Sequence, residues 1–314
     1  MSFSTVTKEE LARVEENRKS CRLSELAALI RMDGMLQISA NQKYSLNVTT
    51  ENASVARRIY GLAKTLLELP SGIVVRRKLR LKKNNSYLVK IYPKGMEDLQ
   101  ELGLLNDEGE IIAGITKKLI KKKCNQKAYL RGAFLAGGSI SNPEGNYHLE
   151  IITNNIILAQ DLSNLINVFN LNAKISTRKK IHVVYIKESE HIFEFLALIG
   201  AHQAVFKFEN IRILKGMRNQ VNRIVNCETA NLTKTVDAAV RQVENIKLIE
   251  KTIGVNALSD NLREIAFLRM EYPDSSLKEL GEILTPKVGK SGVNHRLRKI
   301  EEIAEQIKKR AKDK

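Results

Sequence analysis

The strongest constraint on this chain is that its first two thirds are written twice. Placing Gly34 on Gly138, an offset of 104, lays LSELAALIRMDG (23–34) over NQKAYLRGAFLAGG (125–138). Each segment has apolar residues at helical spacing and ends at glycine, a common stop for a helix. Short alternating runs follow: LQISA and YSLNVTT in the first copy, SIS and YHLEIIT in the second, the latter pair joined by the turn sequence NPEGN. LNVTTEN (46–52) then matches LEIITNN (149–155) at an offset of 103, so the hairpin has gained or lost one residue. Asn52 and Asn155 stand where a cap is expected before ASVARRIYGLAKTLLEL and IILAQDLSNLINVF. A second hairpin comes next, GIVVRRKLRLKK and SYLVKIY around Asn84-Asn85 in one copy and AKISTRKKIHVVYIK in the other. Each copy closes with a helix, MEDLQELGLL or SEHIFEFLALIG. The expected unit is αββαββα, used twice, over about residues 21–105 and 125–200.

Small residues gather in the two leading helices: Ala27 and Ala28 in one, Gly132, Ala133 and Ala136 in the other. Small side chains let helices approach below the usual 8–10 Å separation. The two helices are therefore expected to pack on each other at a pseudo-two-fold axis.

At these residues the chain resembles the LAGLIDADG homing endonuclease fold. LAALIRMDG (26–34) is close to the motif and LRGAFLAGG (130–138) is a degenerate copy. The resemblance implies that the acidic residue before each final glycine would hold a divalent metal at a scissile phosphate. Asp33 matches one acidic position, whereas Gly137 stands at the other and has no ligand to offer. Mg²⁺ is held by converging carboxylates, so a lone one supports it poorly. The expectation is no catalytic residue, no metal and no cofactor, with Asp33 and Gly137 as vestigial positions and Asp33 capping amides or facing a basic neighbour.

Charge points to a polyanion. Lys plus Arg number 52 against 35 Asp plus Glu, a formal net charge of +17. Arg76, Lys78, Arg80 and Lys82 alternate along one expected strand, opposite Leu79 and Leu81, and Arg178, Lys179 and Lys180 recur in the matching hairpin. From Ile111 to Pro143 there is no acid, while Lys117, Lys118, Lys121, Lys122, Lys123, Lys127 and Arg131 supply positive charge. These define a secondary basic surface, a phosphate-tracking sheet or a solvated edge. Cys21, Cys124 and Cys227 form no CxxC or Cys/His cluster, which supports neither a disulfide framework nor a zinc site. The N-terminal segment has no apolar signal core and no run reaches ~18 apolar residues, so a cytoplasmic protein without membrane contact is expected.

Past Phe208 the pattern becomes all-helical. Arg218–Ala230 is polar and is expected to contain the link between domains. Val236, Ala239, Val240, Val243, Ile246, Ile249 and Ile253 then form one stripe that stops at Gly254. Asn261 with Glu264, and Ser276 with Glu279, have the spacing of capping boxes. The final helix, VNHRLRKIEEIAEQIKKR, buries Val293, Leu297, Ile300, Ala304 and Ile307 and leaves Asn294, His295, Arg296, Arg298 and Lys299 outward near its start. This is the layout of a helix-turn-helix, whose second helix enters the major groove by its N-terminal residues. It looks like the version found in sigma-factor region 4. Ser276, Lys287, Lys290 and Ser291 complete the candidate DNA-binding set, over about residues 275–309.

The combination resembles the WhiA family of bacterial DNA-binding regulators. The resulting expectation is an α+β fold: a duplicated αββαββα domain at 1–220, a linker at 221–230, and an all-α helix-turn-helix domain at 231–314. Membership implies a transcription factor of sporulation, or of cell division and chromosome segregation. The expected partners are double-stranded DNA at promoter or chromosomal sites and a sigma factor or other regulatory protein, in a nucleoid-associated setting. An active endonuclease and a division adaptor whose DNA binding is secondary stay open.

Overall fold

A computed structural model describes residues 1–39, 43–66, 68, 70–77 and 85–312. A short leading helix, α1 (Phe3–Leu11), begins where the Ser2 hydroxyl accepts from the Thr5 amide. The first copy follows as α2 (Lys19–Asp33), β1 (Gly34–Ile38), β2 (Tyr44–Thr50), α3 (Ala53–Leu66), β3 (Ser71–Arg77), β4 (Asn85–Ile91) and α4 (Met96–Glu101). The second is α5 (Lys123–Gly137), β5 (Gly138–Ile140), β6 (Leu149–Thr153), α6 (Ile156–Asn167), β7 (Lys174–Arg178), β8 (Ile181–Ile186) and α7 (Ser189–Ile199). The two antiparallel sheets have the same strand order, β1-β2-β4-β3 and β5-β6-β8-β7. The repeat read from sequence is thus a repeat of topology. Asn52 and Asn155 cap α3 and α6, each side-chain oxygen accepting from two helix amides.

The helices of both copies share one apolar core. At its centre α2 lies against α5, with Leu26, Ala27, Ala28, Leu29, Leu130 and Ala133 buried. A Cβ at Gly132 would lie 2.9 Å from the Ala28 Cβ and would collide with the Glu25 carbonyl oxygen. Only glycine permits this approach.

An ionic cluster pins the same interface. Glu25, fully buried, accepts from Arg58 Nε and Nη2 at 2.7 and 2.9 Å and from Arg131 Nε and Nη2 at 2.9 and 2.8 Å. Arg131 therefore does not belong to the expected basic surface. It is buried and its charge is met by a carboxylate on the other copy.

The chain divides into two compact units, Met1–Gly216 and Met217–Lys314. The division falls inside one long helix, α8 (His202–Thr252), so residues 221–230 are helical rather than an irregular linker. Their polarity reflects exposure, not a break in the helix. In the second unit α8 ends before Gly254, which has φ +82°, and is followed by α9 (Asp260–Glu271), α10 (Leu277–Ile283) and α11 (Lys290–Lys312). Its core joins Ile246 and Ile249 of α8 to Ile265, Leu280, Val293, Leu297, Ile300 and Ala304. Val236 and Val240, expected on the same buried stripe, are half-exposed, because the second unit's core takes only the later turns of α8; Ile253, just past the end of the helix, is half-exposed as well.

Two glycines give opposite predictions. Gly132→Ala should cost about 2 kcal/mol or more by overpacking. Gly61→Ala, inside α3 with nothing within 4 Å of the added methyl, should gain about 0.5–1 kcal/mol. Denaturant unfolding of the two variants checks both signs.

Candidate nucleic-acid interface

The two motif positions lie at the ends of the paired helices. Asp33 closes α2 and Gly137 closes α5. A Cβ at Gly137 would stand 2.5 Å from the Met32 Cε and 2.6 Å from the Ile152 carbonyl oxygen. The site thus not only lacks a second carboxylate but has no room for one without rearrangement. Lys8, delivered by α1, donates to the Ala136 carbonyl at 3.2 Å and faces Asp33. Burial lowers the Lys8 pKa to about 8, against the pull of the Asp33 charge. Burial likewise pushes the Asp33 carboxyl up, with Lys8 opposing. Asp33, Lys8, Ala136 and Ser139 share the wall of a polar cleft of about 840 Å³. A two-carboxylate metal centre does not fit these residues: one ligand is sterically excluded and an ammonium faces the other. Among the described residues, no cluster of three His, Cys, Asp or Glu could hold a metal.

The strand register places Met35, Asn47 and Lys90 in one row across the first sheet, with Val74 and Arg76 on the same face of β3, opposite the buried Val48 and Val89. Met35, Val74 and Arg76 are exposed. Lys78, Arg80 and Lys82, expected beside Arg76, lie outside the described residues, as do Leu79, Leu81 and Asn84. On the second sheet Arg178 ends β7, and Lys179 and Lys180 form the turn into β8; all three are exposed. Lys179 has φ +57°, the left-handed conformation of a tight turn.

The second unit holds the other candidate set. Ser276 caps α10: its hydroxyl accepts from the Glu279 amide and the Glu279 carboxylate accepts from the Ser276 amide. The Ser276 oxygen is thereby committed to the helix. The expected Asn261 box is absent, since α9 starts at Asp260 with Ser259 before it, which puts Asn261 inside the helix. Two tight features fix the turn between α10 and α11. A Cβ at Gly281 would collide with the Val288 carbonyl oxygen, and the Val288 amide donates to the Gly281 carbonyl at 3.0 Å. The buried Arg269 donates to the Pro273 and Ser275 carbonyls at 3.2 and 2.7 Å, holding the chain that enters α10.

This support leaves Lys287, Lys290, Ser291, Asn294, His295, Arg298 and Lys299 exposed. Arg296 is different. It is half-buried and turned onto α9, 3.5 Å from the Asn261 carbonyl and 3.8 Å from the Glu264 carboxylate. Its expected outward role is corrected: α9 supplies an acid that periodicity within α11 could not reveal. Sequence reasoning also missed α1 with Lys8, whose only signal was the capping pattern at Ser2, and the anchoring by Arg269.

A duplicated LAGLIDADG-like domain followed by a helical helix-turn-helix region is the class these elements define. Family models described as the WhiA N-terminal LAGLIDADG-like domain, the WhiA LAGLIDADG-like domain and the WhiA C-terminal HTH domain match residues 19–105, 126–218 and 221–304. The chain is 69% identical over 312 residues to the "Probable cell division protein WhiA" of Desulfitobacterium hafniense (strain Y51), covering 99% of this chain and 98% of that one. It is 56% identical over 307 residues to the protein of the same name from Heliobacterium modesticaldum, covering 97% and 96%. The crystal structure of full-length DUF199/WhiA from Thermatoga maritima superposes with a TM-score of 0.62 at 26% identity, covering 98% of this chain and 99% of that one. This chain belongs to the WhiA family.

Two predictions follow from the vestigial centre. Gly137→Asp should create no Mg²⁺ site; calorimetric titration should show no binding and unfolding should show a loss of about 1–3 kcal/mol from overpacking. The second concerns Lys8, whose folded pKa of about 8 lies below its ordinary value of 10.5. The unfolded chain then binds more protons between those values, so Lys8 makes stability rise with pH from about 8 to 10.5. Lys8→Met should remove that rise; an unchanged slope in unfolding measured across this range would refute the lowered Lys8 pKa.

Proposed function

We propose that the chain is a sequence-specific DNA-binding transcription regulator that does not cut its target. The observation that carries this reading is the flank of α11, where Lys290, Asn294, His295, Arg298 and Lys299 are exposed and hold no partner among the described residues. Arg and Asn have the donor geometry that pairs with guanine and adenine edges, and lysines meet phosphate. Lys287 and Ser291 would extend the phosphate contact at the helix start.

The domains act as modules at 1–220 and 231–314, joined through 221–230. The first adds contacts to DNA through Arg76, Lys78, Arg80, Lys82, Arg178, Lys179 and Lys180, or to a protein such as a sigma factor. The exposed Val74 beside Arg76, with Met35 exposed on the same face at the other edge of the sheet, favours the protein alternative for the first sheet. The relatives' printed name supports a role in cell division, and the family resemblance supports sporulation or chromosome segregation. Among the described residues no helix is long and apolar enough to cross a membrane, consistent with a cytoplasmic, nucleoid-associated protein.

Anisotropy titration with duplex DNA tests the assignment. Lys290→Ala should weaken binding to all sequences and reduce the salt slope by about one. Arg298→Ala should cost about 1–3 kcal/mol of discrimination at one base pair. Mg²⁺-dependent cleavage by the purified protein, abolished by Asp33→Ala, would overturn the non-enzymatic reading.

A further inference from the structure

The far end of the α2–α5 pair, away from Asp33 and Gly137, carries chemistry that DNA binding does not use. Cys21 lies in the first turn of α2 and Cys124 in the first turn of α5. Both sulfurs point at one atom: Cys21 Sγ is 3.4 Å and Cys124 Sγ 3.3 Å from the Asn125 Oδ1, which also accepts from the Ser20 hydroxyl at 3.2 Å. The repeat explains the meeting. At the helix offset of 104, Ser20 is equivalent to Cys124 and Cys21 to Asn125, so the pseudo-two-fold axis brings both pairs together. Burial, Cys124 and the Glu16 charge push the Cys21 thiol up to about 11, against the Arg18 guanidinium, which acts on both sulfurs.

We infer that Cys21 and Cys124 form a redox-modification site, in which a two-electron oxidant of the peroxide class joins the two half-repeats by a disulfide. Cys124 is half-buried and flanked by the exposed Lys122 and Lys123, so it is the sulfur the oxidant reaches; Cys21 is fully buried. The Cys124 sulfur attacks one peroxide oxygen, the O–O bond breaks, and a sulfenic acid and one water result. The Cys21 sulfur then attacks the Cys124 sulfur. The S–O bond breaks, the S–S bond forms, and the departing hydroxide leaves as a second water with the Cys21 proton. Two thiols and one peroxide give one disulfide and two waters. In a reducing compartment such a bond is transient, the behaviour of a sensor rather than a structural staple.

The third cysteine makes the test clean. Cys227 is exposed on α8, and Cys227→Ser removes pairing between molecules. In that full-length background, hydrogen peroxide followed by thiol blocking and peptide mass spectrometry should yield one linked pair containing Cys21 and Cys124. Dithiothreitol should restore both thiols. Cys21→Ser should abolish the link and leave a Cys124 sulfenic acid that dimedone traps. Two results would overturn the inference: Cys124 oxidised to sulfinic acid while Cys21 stays free in the two-cysteine chain, or a link that forms only after unfolding in guanidinium.

Discussion

The fold of the first unit depends on one buried carboxylate. Glu25 sits between two guanidiniums, one from its own copy and one from the other, and takes four charge-assisted hydrogen bonds. Removing such charges from water is costly, and an apolar replacement of the whole set could be as stable. Its value is geometric. The two Arg131 donors that converge on Glu25 Oε2 fix the rotation and height of α5 against α2, and Gly132 beside it lets the backbones touch. The arrangement also breaks the symmetry. At the helix offset of 104, Glu25 corresponds to Tyr129 and Arg131 to Ala27, so acid and base come from different copies. Two first copies could not reproduce the lock, and the halves have become complementary rather than interchangeable.

The same specialisation reaches the motif ends. A close helix pair brings the terminal residues together, which in a symmetric design would converge two carboxylates. Here the crowding around Gly137 admits only hydrogen, and α1, a segment outside the repeat, inserts an ammonium. The cation that a metal would have supplied is covalently part of the chain. Lys8 and Asp33 share the wall of one cleft, each shifted toward neutrality by partial desolvation and held charged by the other.

What the sequence made legible was periodic or local. The helix and strand periods, the two Asn caps and the Ser276–Glu279 box depend on residues a few positions apart, and they read directly. Arg131 and Arg296 did not, because their electrostatic partners are set by tertiary contact; for Asp33 a basic neighbour was expected, but tertiary contact alone shows that it is Lys8. Arg131 meets a glutamate 106 positions earlier and Arg296 meets Glu264 on another helix. A charge count over a window treats such residues as surface and overstates the basic face. The leading helix was invisible for another reason: it lies outside the repeat, so self-similarity carried no information about it.

The second unit shows the complementary use of arginine. Arg269 spends its charge on two backbone carbonyls and Arg296 is held near an acid, and both support the frame of the helix-turn-helix. Gly281 closes the turn by direct backbone contact with Val288. With these guanidiniums committed inward, Arg298 is the guanidinium left exposed on the first turns of α11, beside Asn294 and Lys299. Base discrimination would then rest on very few side chains held on a rigid helix. That is the condition under which a single substitution separates loss of specificity from loss of fold, since the exposed side chains of α11 and those that hold the frame do not overlap.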